Sequence, residues 1–256
     1  MPRIISVVNQ KGGVGKTTTA INVAGYLAAL GQSVLVVDID PQGNASSGLG
    51  VNVRELQKGV YEALAGQSIL RDVIHTSPID GLSVAPATMN LAGANVELVG
   101  IADREYRLLR ALETVGEEYS YIIIDCPPSL GLLTINGIVA SSEVLIPVQT
   151  EYYALEGLSQ LLETIQLIRD NLKPDIDILG AVMTMYDERY RLTGAVFHEL
   201  HKHFPNKVFR TVVPRNVRLA EAPSHGKTIM HYDPRSPGAR AYKRLAKEIH
   251  QSKKSV

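Results

Sequence analysis

The run Asn9-Gln10-Lys11-Gly12-Gly13-Val14-Gly15-Lys16-Thr17-Thr18 constrains this chain more than any other stretch. It follows the apolar Ile4-Ile5-Ser6-Val7-Val8 and precedes Ala20, Val23, Ala24, Leu27 and Ala28 at helical spacing, which predicts a buried strand turning sharply into a helix. Such a turn is a place for phosphate. Three glycines let backbone N–H groups approach an anion with no Cβ in the way, and the helix start adds unpaired donors and partial positive charge. Lys16 can reach the β- and γ-phosphates of a nucleotide, and the Thr17 hydroxyl can take one position on Mg²⁺. A tight connection with no ligand is the plainer reading of a glycine-rich turn. Two lysines and paired threonines in a strand–loop–helix setting argue against it.

The general phosphate-loop pattern has a glycine five positions before the last one, where this chain has Gln10, and a second lysine, Lys11, follows it. The sequence Lys11-Gly12-Gly13-Val14-Gly15-Lys16-Thr17-Thr18 resembles the deviant Walker A loop of the ParA/MinD ATPases. The resemblance implies ATP and Mg²⁺ as ligands, these eight residues as the phosphate cradle, and a Lys11 that crosses a dimer interface to the partner's nucleotide.

Three further stretches fit the same reading. Ser33 to Asp38 is a β-branched, apolar run, as a central parallel strand buried on both faces should be, and it ends in Asp38-Ile39-Asp40-Pro41-Gln42-Gly43-Asn44. Carboxylates at the C-terminal end of a parallel strand stand beside the ligand crevice of an open α/β sheet. Asp40 can position the attacking water or accept its proton, and Asp38 can join the Mg²⁺ shell through water; a turn built from Asp, Pro, Gly and Asn is the competing explanation. By resemblance to the ParA segment, Asp40 is the hydrolytic aspartate. Tyr121 to Pro128 places Asp125 at the end of another apolar strand, as a Walker B aspartate holding Mg²⁺, and the following Pro127-Pro128-Ser129-Leu130-Gly131 resembles the family's γ-phosphate-sensing switch. Pro214-Arg215-Asn216 closes a last expected strand, Lys207 to Val213, and can clasp an adenine; the chromosomal ParA (Soj) proteins imply Pro214 and Asn216 as the base contacts.

Other apolar runs, Leu82–Pro86, Glu143–Val148 and Ile178–Thr184, alternate with helical patterns at Gly59–Ala65, at Asp103–Val115 (Tyr106, Leu109, Leu112, Val115) and from Leu158 to Leu172. The alternation predicts an α/β fold, a doubly wound, mostly parallel sheet with helices on both faces, in one domain spanning 1–256. The large plasmid ParA proteins carry an extra N-terminal DNA-binding domain for which this chain has no residues.

Composition narrows the partners. No apolar run approaches the roughly 18 residues of a membrane span, and Met1-Pro2-Arg3 leads straight into the first strand with no room for a signal peptide, so a cytoplasmic protein is expected. Cys126 is the one cysteine, which excludes an intrachain disulfide and argues against the cluster-bearing iron protein of nitrogenase. His198, His201 and His203 lack a completing acid or cysteine and lie beside an expected buried stripe of Phe197, Leu200 and Phe204, so no zinc is expected.

Net charge is zero, yet between Asp187 and Lys254 fifteen lysines and arginines face six acids, a basic surplus of nine. That asymmetry points to a polyanion, although a solvated basic face reads the same in composition. The resemblance implies non-specific double-stranded DNA gripped by an ATP-state homodimer through Arg189 and Arg218, with Arg191, Arg215 and Lys227 as neighbours. It also implies a ParB-like partner that stimulates slow hydrolysis, and association with the nucleoid. The alternatives are a MinD-like ATPase cycling on a membrane, a nucleotide-gated cargo scaffold and a metabolic P-loop kinase. The final Ala239–His250 segment has few apolar positions and reads as a docked helix with a polar tail rather than a membrane anchor.

Overall fold

The computed structural model describes residues 1–150, 156–187, 189 and 192–252. Seven strands, β1 (Arg3–Val7), β2 (Val34–Asp38), β3 (His75–Thr76), β4 (Leu82–Ala85), β5 (Tyr121–Asp125), β6 (Glu143–Gln149) and β7 (Asp177–Thr184), form one sheet in the order β3-β4-β2-β5-β1-β6-β7. All neighbours are parallel except the short edge strand β3. The helices are α1 (Lys16–Ala29), α2 (Asn44–Gly48), α3 (Val60–Ala65), α4 (Ala94–Glu97), α5 (Arg107–Glu113), α6 (Leu132–Ala140), α7 (Glu156–Asn171), α8 (Leu192–His203), α9 (Val217–Glu221), α10 (Ile229–Tyr232) and α11 (Pro237–Gln251).

Every residue of β2, β5 and β6 is buried, which is why those runs read as continuously apolar. Successive side chains serve opposite cores. Ile122 and Ile124 join the layer containing α3, α5, α6, α7 and α8, whereas Tyr121 and Ile123 join the layer containing α1, α2, α9, α10 and α11. This is the doubly wound arrangement expected. The sheet order reverses around β1, so its loop opens where β5 and β6 diverge to carry the chain to either side.

Three expectations need correction. Residues 207–213 do not form a strand. The segment runs beside β7, with bridges from Val208 to Ala181 and from Pro214 to Tyr186 just past β7, but three residues lie between Phe209 and Val213 while one lies between their β7 partners, Ala181 and Met183. The excess bulges toward α11, where Glu248 accepts hydrogen bonds from the Arg210 N–H (3.1 Å) and the Thr211 hydroxyl. Along α8 and the residue after it, the buried positions among the described side chains are Val196, Leu200 and Phe204 at fourfold spacing, and Phe197 is 47% exposed, its ring against His201. Around α5, Leu108, Leu112 and, just past its end, Val115 enter the core, with Tyr106 before it and Leu109 within it packing only at the core's edge.

The C-terminal helix is anchored by the first strand. Arg3 is buried and forks onto Glu143 (Nε 2.5 Å, Nη2 3.0 Å) while its Nη1 donates to the Ile249 carbonyl at 2.6 Å, satisfying the end of α11. Arg3→Ala strands a buried carboxylate. It is expected to lower stability by about 3–5 kcal/mol in a denaturant titration, and a loss under about 1 kcal/mol would contradict this account of the anchor.

Candidate functional site

The β1–α1 loop is held open by its own backbone. Gly13 (φ +76°) and Gly15 (φ +90°) adopt left-handed conformations that side-chain-bearing residues rarely tolerate, and Gly15 is the N-cap of α1. A Cβ placed on Gly12 or Gly13 would meet nothing within 4 Å, so these two glycines border open space rather than packed protein. Two ties fix the loop's flanks: Asn9 donates to the Pro147 carbonyl (2.7 Å) and accepts from the Lys11 N–H (2.9 Å), and the Thr184 hydroxyl donates to the Val14 carbonyl (2.7 Å). Lys16 is buried and its Nζ donates to the Lys11 carbonyl at 3.1 Å across the loop. Burial pushes its pKa down, against the pull of Asp125 and Asp40. An ammonium so confined, beside α1 N–H groups without a side-chain cap, is an arrangement able to hold an anion.

Beneath the loop the sheet gathers acids. Asp38 and Asp125 are register partners at the ends of β2 and β5, and both are fully buried. Thr17 donates its hydroxyl to Asp125 Oδ2 at 2.7 Å, while Asp125 Oδ1, also buried, has no hydrogen-bond partner among the described residues. Burial, then the charge of Asp38, pushes Asp125 well above the usual carboxylate range; burial lifts Asp38 to about 6. A hydroxyl, a carboxylate with one unsatisfied oxygen and a second acid alongside form a hard, anionic donor set that fits Mg²⁺. Asp38 differs from Asp125. Its oxygens are engaged by the protein, accepting from the Ser46 N–H (2.8 Å), the Ser46 hydroxyl (2.7 Å) and the Asp40 N–H (3.1 Å). Asp40 is 7% exposed and its Oδ1 accepts from the Gln42 N–H at 3.0 Å.

Two clefts flank the loop. One, of about 380 Å³, is lined by Gly15, Thr18, Thr184, Pro214, Asn216 and Tyr242 among others, so Pro214 and Asn216 stand beside the start of α1. Asn216 caps α9, its Oδ1 accepting from the Arg218 N–H (2.9 Å), which leaves its amide nitrogen with no partner among the described residues. The other, of about 610 Å³, is lined by Gln10, Lys11, Pro128, Ser129, Leu130, Gly157 and Gln160. It puts Lys11 and the residues after Asp125 on one open face. Gln10 lies against Gly157, where a Cβ would come within 2.7 Å of its Nε2. Sequence reasoning passed over Asn9, Ser46, Thr184 and Tyr242, since nothing local distinguishes a tethering polar residue from an ordinary one.

The basic rim is less free than its composition suggests. Arg189 is 83% exposed but forks onto Asp187 (2.9 and 2.6 Å), holding that carboxyl down to about 2. Arg218 is half exposed and pairs with Glu221 at 2.9 Å, Asp233 lies 3.7 Å from its Nε, and the Tyr232 hydroxyl donates to the same Glu221. Arg215 and Lys227 are exposed; Arg191 lies outside the described residues. No described helix is long and apolar enough to cross a membrane, and Tyr242, Leu245 and Ile249 of α11 are buried in the layer built on α1.

The chain matches the protein-family model described as AAA domain over residues 2–178. It is 56% identical over 249 residues to the sporulation initiation inhibitor protein Soj of Bacillus subtilis, covering 97% of this chain and 98% of that protein. It is 53% identical over 247 residues to the chromosome-partitioning ATPase Soj of Thermus thermophilus, covering 96% and 95%. Among solved structures, cobyrinic acid a,c-diamide synthase from Mycobacterium smegmatis with bound ATP analog and magnesium superposes with a TM-score of 0.87 at 35% identity, covering 98% of this chain and 95% of that one.

Proposed function

The chain belongs to the ParA/Soj family of chromosome-partitioning ATPases, and from that premise we propose that residues 1–256 are a single ATPase domain that dimerises around ATP. In that state it binds double-stranded DNA without sequence preference, on the nucleoid, and hydrolyses ATP slowly until a ParB-like partner accelerates it. The observation that carries the reading is the glycine cradle above the Thr17–Asp125 pair, with Lys11 on the adjoining open face.

The chain's own groups divide the work. Backbone N–H groups from Gly12 to Thr18, with Lys16, hold the β- and γ-phosphates, while Pro214 and Asn216 hold the base. Mg²⁺, when bound, neutralises charge on the transferred phosphoryl group; Thr17 and Asp125 would hold it, with Asp38 acting through water. Asp40 orients the attacking water. Lys11 of one protomer meets the phosphates of its partner, so triphosphate favours the pair and hydrolysis removes that support. Because backbone contact needs no base reading, arginines suit the DNA face, and dimerisation doubles their number. Four phosphates neutralised per dimer would give a slope of log K against log salt of about −3.6.

DNA binding by the parent, Lys16→Ala and Arg218→Ala with ATP, ADP or no nucleotide tests the scheme. ATP-dependent binding is expected in the parent and lost in both variants, with ATP-driven dimerisation kept by Arg218→Ala alone. A parent that stays monomeric with a non-hydrolysable ATP analogue would overturn it. A membrane-cycling role is disfavoured by the apolar face of α11, which is already buried within the protein. Vesicle co-sedimentation with ATP separates the two, because membrane uptake without DNA binding would reverse the choice.

A further inference from the structure

The segment carrying Asp40 is held at one place by an unusual arrangement. Asp38 is a fully buried carboxylate whose bonded donors are the Ser46 N–H, the Ser46 hydroxyl and the Asp40 N–H. Ser46, also fully buried, accepts at its Oγ from the backbone N–H of Ala87 at 3.1 Å, just beyond β4. An N–H can only donate, so the Ser46 hydroxyl must spend its single proton on Asp38. The proton chain therefore has one direction, from Ala87 through Ser46 to Asp38, and Asp38 in turn accepts from Asp40. Three separate segments, the end of β2, the first turn of α2 and the run after β4, meet at one oxygen atom. The Asp40 turn is completed by the Gly43 N–H on the Asp40 carbonyl (2.9 Å) and the Gln42 N–H on its Oδ1.

We propose that Ser46 is a positioning residue for the hydrolytic step: through Asp38 it holds Asp40 at its station, while itself touching neither nucleotide nor water. The proposal rests on the reading of Asp40 given above. Without the Ser46 hydroxyl, Asp38 loses a donor and Ala87 loses its acceptor, and the carboxylate that holds the Asp40 N–H can shift. A displacement of about 1 Å at a reacting group can cost about 10²-fold in rate, and groups that orient a reacting or liganding residue typically contribute about 10–100-fold. The phosphate cradle takes no support from Ser46, so affinity for nucleotide should stay.

The test compares the parent with Ser46→Ala, Ser47→Ala, an exposed neighbour on α2, and Asp40→Ala. Ser46→Ala is expected to lower kcat about 10–100-fold, to change the Kd for a fluorescent ATP analogue by less than about 3-fold, and to speed amide hydrogen exchange across 39–47 in the nucleotide-free protein. Ser47→Ala should match the parent in all three. Parental kcat in Ser46→Ala, unchanged exchange, or a loss of affinity as large as the loss of rate would each overturn the proposal. Should Ser46→Ala not fold, Ser46→Cys, of similar volume and a weaker donor, is judged by the same criteria. If Asp40→Ala itself hydrolyses at the parental rate, the assignment of Asp40 fails; if Asp40→Ala is slow and Ser46→Ala is not, the positioning role alone fails.

Discussion

Lys11→Ala is expected to bind ATP as a monomer and to hydrolyse it about 10³-fold more slowly than the parent, the lower end of what a trans-acting cation contributes to phosphoryl transfer. The loop uses Lys11 for its own shape through the backbone: the carbonyl accepts from Lys16 and the N–H donates to Asn9. Both bonds survive truncation to alanine. The cradle should therefore keep its affinity for nucleotide within about threefold, roughly 0.7 kcal/mol, while the charge that bridges two protomers disappears. Light scattering with a non-hydrolysable ATP analogue reads the dimer, and phosphate release at saturating ATP reads the rate. A Lys11→Ala protein that dimerises and turns over normally would remove the trans lysine from the mechanism.

Asp40→Ala should fail in the opposite way. It is expected to bind ATP, dimerise and stay on DNA, with turnover lowered by about 10²–10⁴-fold, the usual contribution of a positioned general base. The truncation spares the backbone of its turn, since the Asp40 N–H still reaches Asp38 and its carbonyl still accepts from Gly43. It also removes one of three negative groups that act on Lys16 or on one another beneath the anion site. Less negative charge there favours a triphosphate, so the sign of any change in affinity is toward tighter binding. Dissociation from DNA after an ATP pulse measures the trapped state, and release at the parental rate would contradict the role given to Asp40. The two variants together separate assembly from chemistry: one leaves ATP on single protomers, and the other leaves it locked between two.

Tethers decide how such a site performs, and the contacts of Arg189 and Arg218 illustrate their weight. Composition marked the basic end, and both arginines do face solvent, but each is already matched by an acid, Asp187 in one case and Glu221 with Asp233 in the other. Exposed pairs of this kind contribute little to stability. Their larger effect is on availability, because a phosphate must compete with the resident carboxylate for the same guanidinium donors. Counting charges along the chain did not reveal this: Glu221 follows Arg218 by three positions on α9 and Asp187 precedes Arg189 by two, spacings that a charge total ignores, and only the approach of Asp233 depends on how α9 and α10 pack.

The sequence alone determined whatever is written in local pattern. A strand entering a glycine turn and a helix, apolar runs ending in Asp38 and Asp125, and a docked C-terminal helix were all legible, because backbone conformation and side-chain periodicity depend on near neighbours. Tertiary structure alone decided which groups meet. The hydrogen bond from Thr17 to Asp125 joins residues 108 apart, and the one from Thr184 to Val14 spans 170. The orphaned oxygen of Asp125, the Ser46 hydroxyl shared between Asp38 and Ala87, and the bulge where a seventh parallel partner strand was expected likewise arise only when the sheet brings distant segments side by side. Periodicity tells a side chain which face to take, but a partner far along the chain is chosen by the order and register of the strands, which no single segment contains.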